Sequence, residues 1–242
     1  MGTIRPQDLN FVLSRTPKDI RELMKKYPLF LAGGFIRATI AGERPSDIDL
    51  FGPSKEMLDT ISTEIALNRK GRKHASDNAI TVLAPPRIPV QFITKWTYER
   101  IDNVIESFDF TVCQAAICWG CTAENANPRW ISMASDAFYP DLAARRLVYT
   151  FPKREEAAGG SMMRVRKFLT RGYNIQAPSL AGVMTRVFMS VRDPYGMTEE
   201  GLSKVIAGIL HEVDPLIVVD GVDFIDEHQV MQEPKAEGGE SS

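Results

Sequence analysis

The stretch that decides the fold is Leu29-Phe30-Leu31-Ala32-Gly33-Gly34-Phe35-Ile36-Arg37, followed after a short polar loop by Asp47-Ile48-Asp49-Leu50. The apolar run before the two glycines is typical of a buried strand. Glycine lets the backbone turn tightly and approach a ligand without a Cβ in the way. The residues after the turn predict a helix, whose first N–H groups favour a bound phosphate. We therefore expect a strand, a turn, a helix and a second strand.

The second strand of this stretch carries a pair of carboxylates, Asp47 and Asp49. Successive side chains of a strand point to opposite faces, so both carboxylates should lie on one side while Ile48 and Leu50 enter the core. Mg²⁺ suits such a pair, since it is commonly bound by one or two carboxylates together with substrate phosphates. Glycine turns and Asp-x-Asp patterns each occur by chance, but their ordered combination predicts a site for magnesium and a nucleoside triphosphate.

Composition places the chain among ordinary globular proteins. Its 242 residues are 44% hydrophobic and 25% charged, and the net charge is −2. That charge creates no overall attraction to nucleic acid, so any such binding must come from local clusters. The first ten residues do not resemble a signal peptide, and no apolar stretch approaches the ~20 residues that span a bilayer. We expect a soluble, cytoplasmic protein without membrane contact.

Three cysteines, Cys113, Cys118 and Cys121, lie in one apolar segment. An odd number in one segment argues against a secreted disulfide framework. The spacing of Cys118 and Cys121 also suggests zinc or redox chemistry, but a structural zinc site needs four ligands and there is no second cysteine pair. Small buried thiols are the favoured interpretation.

Periodicity and punctuation predict an α/β region followed by a helical one. Thr16 and Pro17 form a start signal for a helix over 17–27, with Thr16 as the N-cap. The run 112–119 fits either a buried helix or a strand. We expect helices over 6–13, 17–27, 53–68, 98–107, 162–171, 178–192 and 199–213, strands over 79–83 and 88–94 joined at Pro85-Pro86-Arg87, a strand or loop over 217–224, and a disordered acidic tail. The predicted domains are 1–150, 151–230 and the tail 231–242.

The glycine turn and the Asp pair resemble the head-domain signature of the polymerase-β-like nucleotidyltransferases, especially bacterial CCA-adding enzymes and poly(A) polymerases. The likeness continues in order along the chain. Its further segments are Phe108-Asp109-Phe110-Thr111, Asp141-Leu142 through Leu147-Val148-Tyr149, and Met163-Arg164-Val165-Arg166-Lys167-Phe168 through Gly172-Tyr173. The resemblance implies a small mixed sheet flanked by helices, the head, followed by a helical neck.

The resemblance also implies roles for individual residues. Asp47 and Asp49 would be catalytic and hold Mg²⁺, while Gly33 and Gly34 would position the triphosphate. The remaining nucleotide-binding positions implied are Arg37, Asp109, Arg164 and Lys167. ATP or another nucleoside triphosphate would be the substrate, and RNA or tRNA a partner.

Three departures from that family limit the assignment. Phe108 stands where the family has an arginine, and the base-selecting motif of CCA-adding enzymes should fall near residues 157–161 but is missing. Gln91 lies where many relatives place a third carboxylate. These departures argue against specific addition of C and then A.

The sequence therefore favours transfer of a nucleoside monophosphate to an acceptor hydroxyl, with an RNA 3′ end as the favoured acceptor. The alternatives are a catalytically reduced module that binds a nucleotide or a partner, and an interaction protein without a nucleotide role. Trp96 and Tyr98 either stack on a base or pack in the core. Two local basic clusters either contact nucleic acid or are simply solvated. The first comprises Arg69, Lys70, Arg72 and Lys73. The second comprises Arg164, Lys167 and Arg171 on one helix.

Overall fold

The computed structural model describes residues 1–122, 125–152 and 159–213. The strands in these ranges are β1 (Phe30–Ala32), β2 (Ile48–Phe51), β3 (Arg72–Ala75), β4 (Ala79–Leu83), β5 (Val90–Ile93), β6 (Ala115–Thr122), β7 (Asn125–Ala134), β8 (Arg146–Leu147) and β9 (Asn174–Ile175). Seven of them form one mixed sheet in the order β3-β4-β5-β2-β1-β6-β7, and β8 pairs with β9. Within this sheet β2 and β5 are parallel, and the other neighbouring strands are antiparallel.

Helices flank the sheet and continue after it. They are α1 (Pro6–Arg15), α2 (Lys18–Lys26), α3 (Gly34–Ile40), α4 (Lys55–Arg69), α5 (Ile101–Glu106), α6 (Phe138–Ala143), α7 (Gly159–Thr170), α8 (Ala177–Met189) and α9 (Glu199–Val213). The predicted fold class, a small mixed sheet flanked by helices and followed by a helical region, is confirmed. None of the helices in the described ranges is long and apolar enough to cross a membrane.

Two details of the sequence prediction are corrected in the N-terminal half. Thr16 does not cap α2, because its hydroxyl donates back to the carbonyl of Val12 and Pro17 is the N-cap. Helix α4 begins at Lys55 rather than at residue 53, since the hydroxyl of Ser54 accepts from the amide of Met57 and fixes the start. The predicted hairpin around Pro85-Pro86-Arg87 is confirmed by antiparallel pairing of β4 with β5.

The ambiguous apolar run at 112–119 is resolved as a short 3₁₀ turn, Thr111–Cys113, that leads into β6. Its partner β7 was not predicted, although it is ten residues long. The prediction for 217–224 and the acidic tail lie outside the described residues.

The two faces of the sheet bury different sets of side chains. One face carries the apolar residues of alternate positions, such as Ile48, Leu50 and Val82, which are fully buried. The other face holds a cluster that includes Phe30, Phe51 and Ala116, with α5 packed over it through Val104 and Ile105. Asp49 alternates with Ile48 and Leu50 and so lies on the face of Phe51, as the sequence predicts.

A buried ion pair joins α4 to α2. The guanidinium of Arg69 is fully buried; its Nε donates to one Asp19 oxygen at 2.7 Å and its Nη2 to the other at 3.1 Å. Its Nη1 also donates to the carbonyl of Ile88 at 3.2 Å. Neither interpretation of Arg69, contact with nucleic acid or a solvated surface position, describes this enclosed side chain, which donates to Asp19 and Ile88 within the protein.

Removing the Asp19 charge should weaken the fold in a pH-dependent way. Burial raises the pKa of Asp19, but hydrogen bonds and charge from Arg69 lower it more, so the pKa lies below its usual value. We expect Asp19→Asn to cost about 1–2 kcal/mol at neutral pH, less than a fully buried pair because Asp19 is partly exposed. A carboxyl whose pKa is lowered by folding stabilises the fold fully only at pH values above its unfolded-state pKa of ~3.9. The difference in unfolding free energy between the wild type and Asp19→Asn should therefore shrink as the pH falls below about 4.

Urea unfolding of both proteins across this pH range checks the expectation. Asp59→Asn, which removes a more exposed carboxylate that pairs with Lys73, is the matched control and should change the free energy of unfolding little. A cost of Asp19→Asn that stays constant down to low pH would contradict the assigned ion pair.

Two compact units divide the chain. The first comprises Met1–Arg154 with Phe168–Gly182, and the second comprises Glu155–Lys167 with Val183–Ser242, each within its described residues. The first unit contains the seven-stranded sheet together with β8 and β9. In the second unit, the described helices bury Met163, Val165, Val183 and Val187.

Candidate active site

The glycine turn and the carboxylate pair lie at the same end of the neighbouring strands β1 and β2. Strands β1 and β2 are antiparallel neighbours, with Leu31 opposite Leu50. Continuing this register by one residue sets Ala32 beside Asp49 and leads directly into the turn at Gly33. Asp47 immediately precedes β2. The strand register therefore brings Asp49 next to the turn at Gly33.

The two glycines of the turn are in different surroundings. Gly33 has φ +75°, and a Cβ there would lie 2.9 Å from the Phe108 ring. Its amide donates to the carbonyl of Ala115 at 3.1 Å, which ties the turn to β6. A Cβ on Gly34 would meet no atom within 4 Å. Gly33 is therefore required by its backbone and by Phe108, whereas Gly34 borders open space.

Phe108 is the residue at this site that sequence reasoning did not place. Its ring packs edge-on against Phe51 at 5.9 Å between centroids and also lies over Gly33. An apolar ring thus lines the turn at the position where the resembled family has an arginine. The departure from the family motif was the one available signal, but it did not reveal the contact.

Electrostatic repulsion is built into the carboxylate pair. Burial raises the pKa of Asp49 well above its usual value, and the negative charge of Asp47 raises it further. A bound cation would relieve both effects, because it would compensate the charge that burial and Asp47 disfavour. The pair therefore has the donor chemistry expected for a hard divalent cation.

The neighbouring strand supplies an amide where a third carboxylate would complete the site. Gln91 of β5 lies directly opposite Asp49 of β2 in the parallel register. In the described part of the chain, no group of three or more His, Cys, Asp or Glu side chains could hold a metal ion. Two carboxylates still fit Mg²⁺, which usually keeps several waters and takes further oxygens from substrate phosphates.

Arg37, predicted to bind phosphate, is almost entirely enclosed within the first unit, with 3% of its surface exposed. Its Nη2 lies 3.5 Å from a Glu43 oxygen, and the guanidinium lies 4.7 Å from the centroid of the Phe168 ring. These contacts join α3 to the end of α7. A role of Arg37 in nucleotide binding stays a prediction.

Asp109 is buried and its backbone carbonyl accepts from Thr150 at 3.0 Å. Close by in the chain, the hydroxyl of Thr111 donates to Asp141 at 2.6 Å, and Arg146 donates to the other Asp141 oxygen at 2.6 and 2.9 Å. Two of the segments that carried the family resemblance are therefore joined by a hydrogen-bond network around the buried Asp141. Contact of Asp109 with a nucleotide sugar stays a prediction.

The remaining basic residues separate into different surroundings. Lys73 donates to Asp59 and to Thr63 of α4 at 2.8 Å, so it faces that helix. Lys70 and Arg72 are exposed. Arg164 and Lys167 lie on α7 in the second unit, and Arg171 is an exposed residue of the first. Contacts of Lys70, Arg72, Arg164, Lys167 and Arg171 with nucleotide or nucleic acid stay predictions.

Tyr98 packs in the core cluster against Phe51, with 6.0 Å between ring centroids, and its hydroxyl is buried. Of the two interpretations of this residue, core packing is the one observed. Burial raises the pKa of Cys118 in β6 to about 11, which suits a partly enclosed thiol rather than a reactive one.

Solved structures share this fold. The Thermotoga maritima CCA-adding enzyme complexed with tRNA-CCA matches with a TM-score of 0.54 and 16% identity, over 88% of this chain and 52% of the enzyme. A CCA-adding enzyme complexed with ATP matches with a TM-score of 0.51 and 16% identity, over 85% and 50%. The chain thus spans about half the length of these enzymes, and at this identity the likeness establishes a nucleotidyltransferase-like fold alone.

Sequence comparison adds a family. No protein with a curated description matches this chain. The family model described as Gad2, Gabija anti-defense 2 family protein, matches residues 6–145, which is more than half of the 242 residues and includes both the glycine turn and the Asp pair. The chain therefore belongs to the Gabija anti-defense 2 family.

Proposed function

We propose that this chain is a magnesium-dependent nucleotidyltransferase that moves a nucleoside monophosphate from a nucleoside triphosphate to an acceptor hydroxyl. The observation that carries the proposal is the pair of Asp47, just before β2, and Asp49, within β2, next to the turn at Gly33 and Gly34. The pair would hold Mg²⁺, and the substrate phosphates and water would supply its other ligands. When bound, the ion would neutralise charge that develops during transfer.

The protein groups then act mainly by positioning. The open space at Gly34 leaves room for the triphosphate to approach the backbone. The acceptor oxygen forms a bond to the α-phosphorus, and the bond to the departing pyrophosphate breaks. Arg37, Asp109, Arg164 and Lys167 are the further candidates for nucleotide contacts. An RNA 3′ end is the favoured acceptor, and ATP is one candidate donor.

A second candidate function is supported by Gln91. Because an amide occupies the position opposite Asp49, the site has one acidic ligand fewer than a three-carboxylate centre. Such a site favours binding of a metal and triphosphate over rapid transfer. The alternative is therefore a catalytically reduced module that captures a nucleotide or a partner.

The family name implies action against a defence called Gabija. We propose that the Asp pair serves this action, either by modifying a component of the defence or by capturing a nucleotide. In cells that carry Gabija, the wild-type chain should lower the protection and the double variant Asp47→Ala/Asp49→Ala should not. If the wild type and the double variant lower the protection equally at equal abundance, the anti-defence action does not depend on the Asp pair.

A labelled-transfer assay tests the enzyme directly. The protein is incubated with Mg²⁺, each α-labelled nucleoside triphosphate in turn, and total RNA or lysate. Label transfer by the wild type that the double variant lacks supports the transferase. Magnesium-dependent nucleotide binding without transfer supports the module, and the absence of both excludes a nucleotide role. Glu99→Gln, which removes an exposed carboxylate in the loop before α5, is the charge control and should behave as wild type.

A further inference from the structure

A row of polar side chains crosses the sheet from the candidate metal site to the edge strand. Asp49 of β2 lies opposite Gln91 of β5, Gln91 opposite Thr81 of β4, and Thr81 opposite His74 of β3. Residues that are paired across neighbouring strands point to the same face of a sheet. We define these four residues, His74, Thr81, Gln91 and Asp49, as the polar row.

The contacts of Lys73 show which face of the sheet each side chain of β3 occupies. Lys73 donates to Asp59 and Thr63 on α4, which fixes Lys73 on the helix-covered face. Because side chains alternate along a strand, Arg72 and His74 lie on the opposite face, which is the face of Asp49. Strands β3 and β2 run in the same direction. Arg72 precedes His74 in β3 just as Asp47 precedes Asp49, so Arg72 and Asp47 lie toward the same end of the two strands.

The outer end of the row is accessible and carries positive charge. His74 and Arg72 are exposed, whereas Gln91 is half-buried and Thr81 is only 8% exposed. Arg72 forms no hydrogen bond or ion pair through its side chain with any residue that the structure describes. Lys70, at the C-cap of α4, adds a second exposed cation two residues earlier. The inner end carries the two acidic groups.

We propose that the polar row is the acceptor track of the transferase, and that its ligand is single-stranded RNA with its 3′ end at Asp49 and its backbone leading toward Arg72. This inference rests on the proposed nucleotidyl transfer. The 3′ oxygen forms a bond to the α-phosphorus of the nucleoside triphosphate, the bond to pyrophosphate breaks, and the hydroxyl proton goes to solvent. Three strand spacings of ~4.8 Å separate Asp49 from His74, about 14 Å in all. At ~3.4 Å per stacked nucleotide, that length holds about four nucleotides.

The charges along the track agree with this direction. Phosphate groups bind Arg and Lys side chains, while the 3′ hydroxyl belongs at the metal. With a net charge of −2, the protein as a whole does not attract RNA, so a local pair of cations has to supply the contact. His74 offers hydrogen-bonding groups to the sugars and bases between the two ends.

The test compares Arg72→Gln with Lys73→Gln in the full-length protein. Both remove one positive charge from β3, but on opposite faces. The probe is a single-stranded RNA of about ten nucleotides, within the site sizes of single-strand binders. We expect Arg72→Gln to raise the KM for RNA roughly three- to tenfold. A plot of the logarithm of the binding constant against the logarithm of the salt concentration should become less steep, its slope falling by about 0.7. The KM for the nucleoside triphosphate should stay unchanged, and Lys73→Gln should leave both constants near wild type.

Site-specific crosslinking gives a second readout. A 4-thiouridine about four nucleotides from the 3′ end should crosslink to the peptide that contains β3, whereas one at the 3′ end should not. Wild-type transfer to RNA with equal effects of the two variants, or a crosslink far from β3, would overturn the track while leaving the transferase intact. Transfer to a protein that RNA does not inhibit would also overturn it. If the wild type neither transfers nucleotides nor binds them, the proposed function itself has failed.

Discussion

Asp49→Asn should lower the rate of nucleotidyl transfer about a thousandfold or more, while the protein becomes no less stable. The side chain keeps its shape but loses the charge that would hold Mg²⁺. Loss of several kcal/mol of metal-derived stabilisation corresponds to this factor, at ~1.4 kcal/mol per tenfold change in rate. Stability responds in the opposite direction, because burial and Asp47 both raise the pKa of Asp49. A carboxyl whose pKa is raised by folding destabilises the fold when it is charged.

Two measurements separate these effects. The first is the initial rate of transfer with saturating Mg²⁺, and the second is the free energy of unfolding in urea with a chelator present. Glu99→Gln should change neither, because its carboxylate is exposed and distant in sequence from the pair. Retained activity in Asp49→Asn would remove this carboxylate from the metal site. Loss of stability together with activity would indicate a structural role instead.

Gly33→Ala should unfold the protein readily, whereas Gly34→Ala should fold normally and lose affinity for the nucleotide. At Gly33 an alanine combines an unfavourable positive φ with a Cβ that lies 2.9 Å from the Phe108 ring. Together these effects should cost about 3 kcal/mol or more. At Gly34 the Cβ meets no atom of the described structure within 4 Å, so the fold should tolerate it. The added methyl group would then occupy the space proposed for the triphosphate.

Urea unfolding and titration with a nucleoside triphosphate check the pair of substitutions. The double variant Gly33→Ala/Phe108→Leu removes the ring and should recover only the part of the loss that comes from the clash. Normal affinity of Gly34→Ala for the nucleotide would contradict the proposed position of the phosphates. Normal stability of Gly33→Ala would contradict the described turn.

Local patterns predicted the parts of the fold that depend on short stretches of chain. Alternation placed Asp49 on the face opposite to Ile48 and Leu50, and the two glycines marked the end of β1. The edge strand β7 was missed because its first half, Asn125-Ala126-Asn127-Pro128-Arg129, is polar and contains a proline, which an edge position tolerates. Pairing with β6 makes this stretch a strand.

Contacts between distant residues explain what the sequence could not give at the site. Arg69 looks like a member of a basic surface run until Asp19, fifty residues earlier, is seen to bind it. The ring of Phe108 reaches Gly33 only through the tertiary fold. Composition alone also does not distinguish Lys73 from Arg72, although the strand places them on opposite faces.

The parallel pairing of β2 with β5 bears on the order of folding events. Asp49 and Gln91 are neighbours in space but 42 positions apart in the chain, since α4, β3 and β4 intervene. The hairpins β3–β4 and β6–β7 close much shorter loops, so forming them costs less conformational entropy. We infer that the hairpins can form early and that the parallel pair joins them later. The surface around Asp49 would then exist only in chains that have completed the parallel pairing of β2 with β5, which would keep partly folded molecules from binding substrate there.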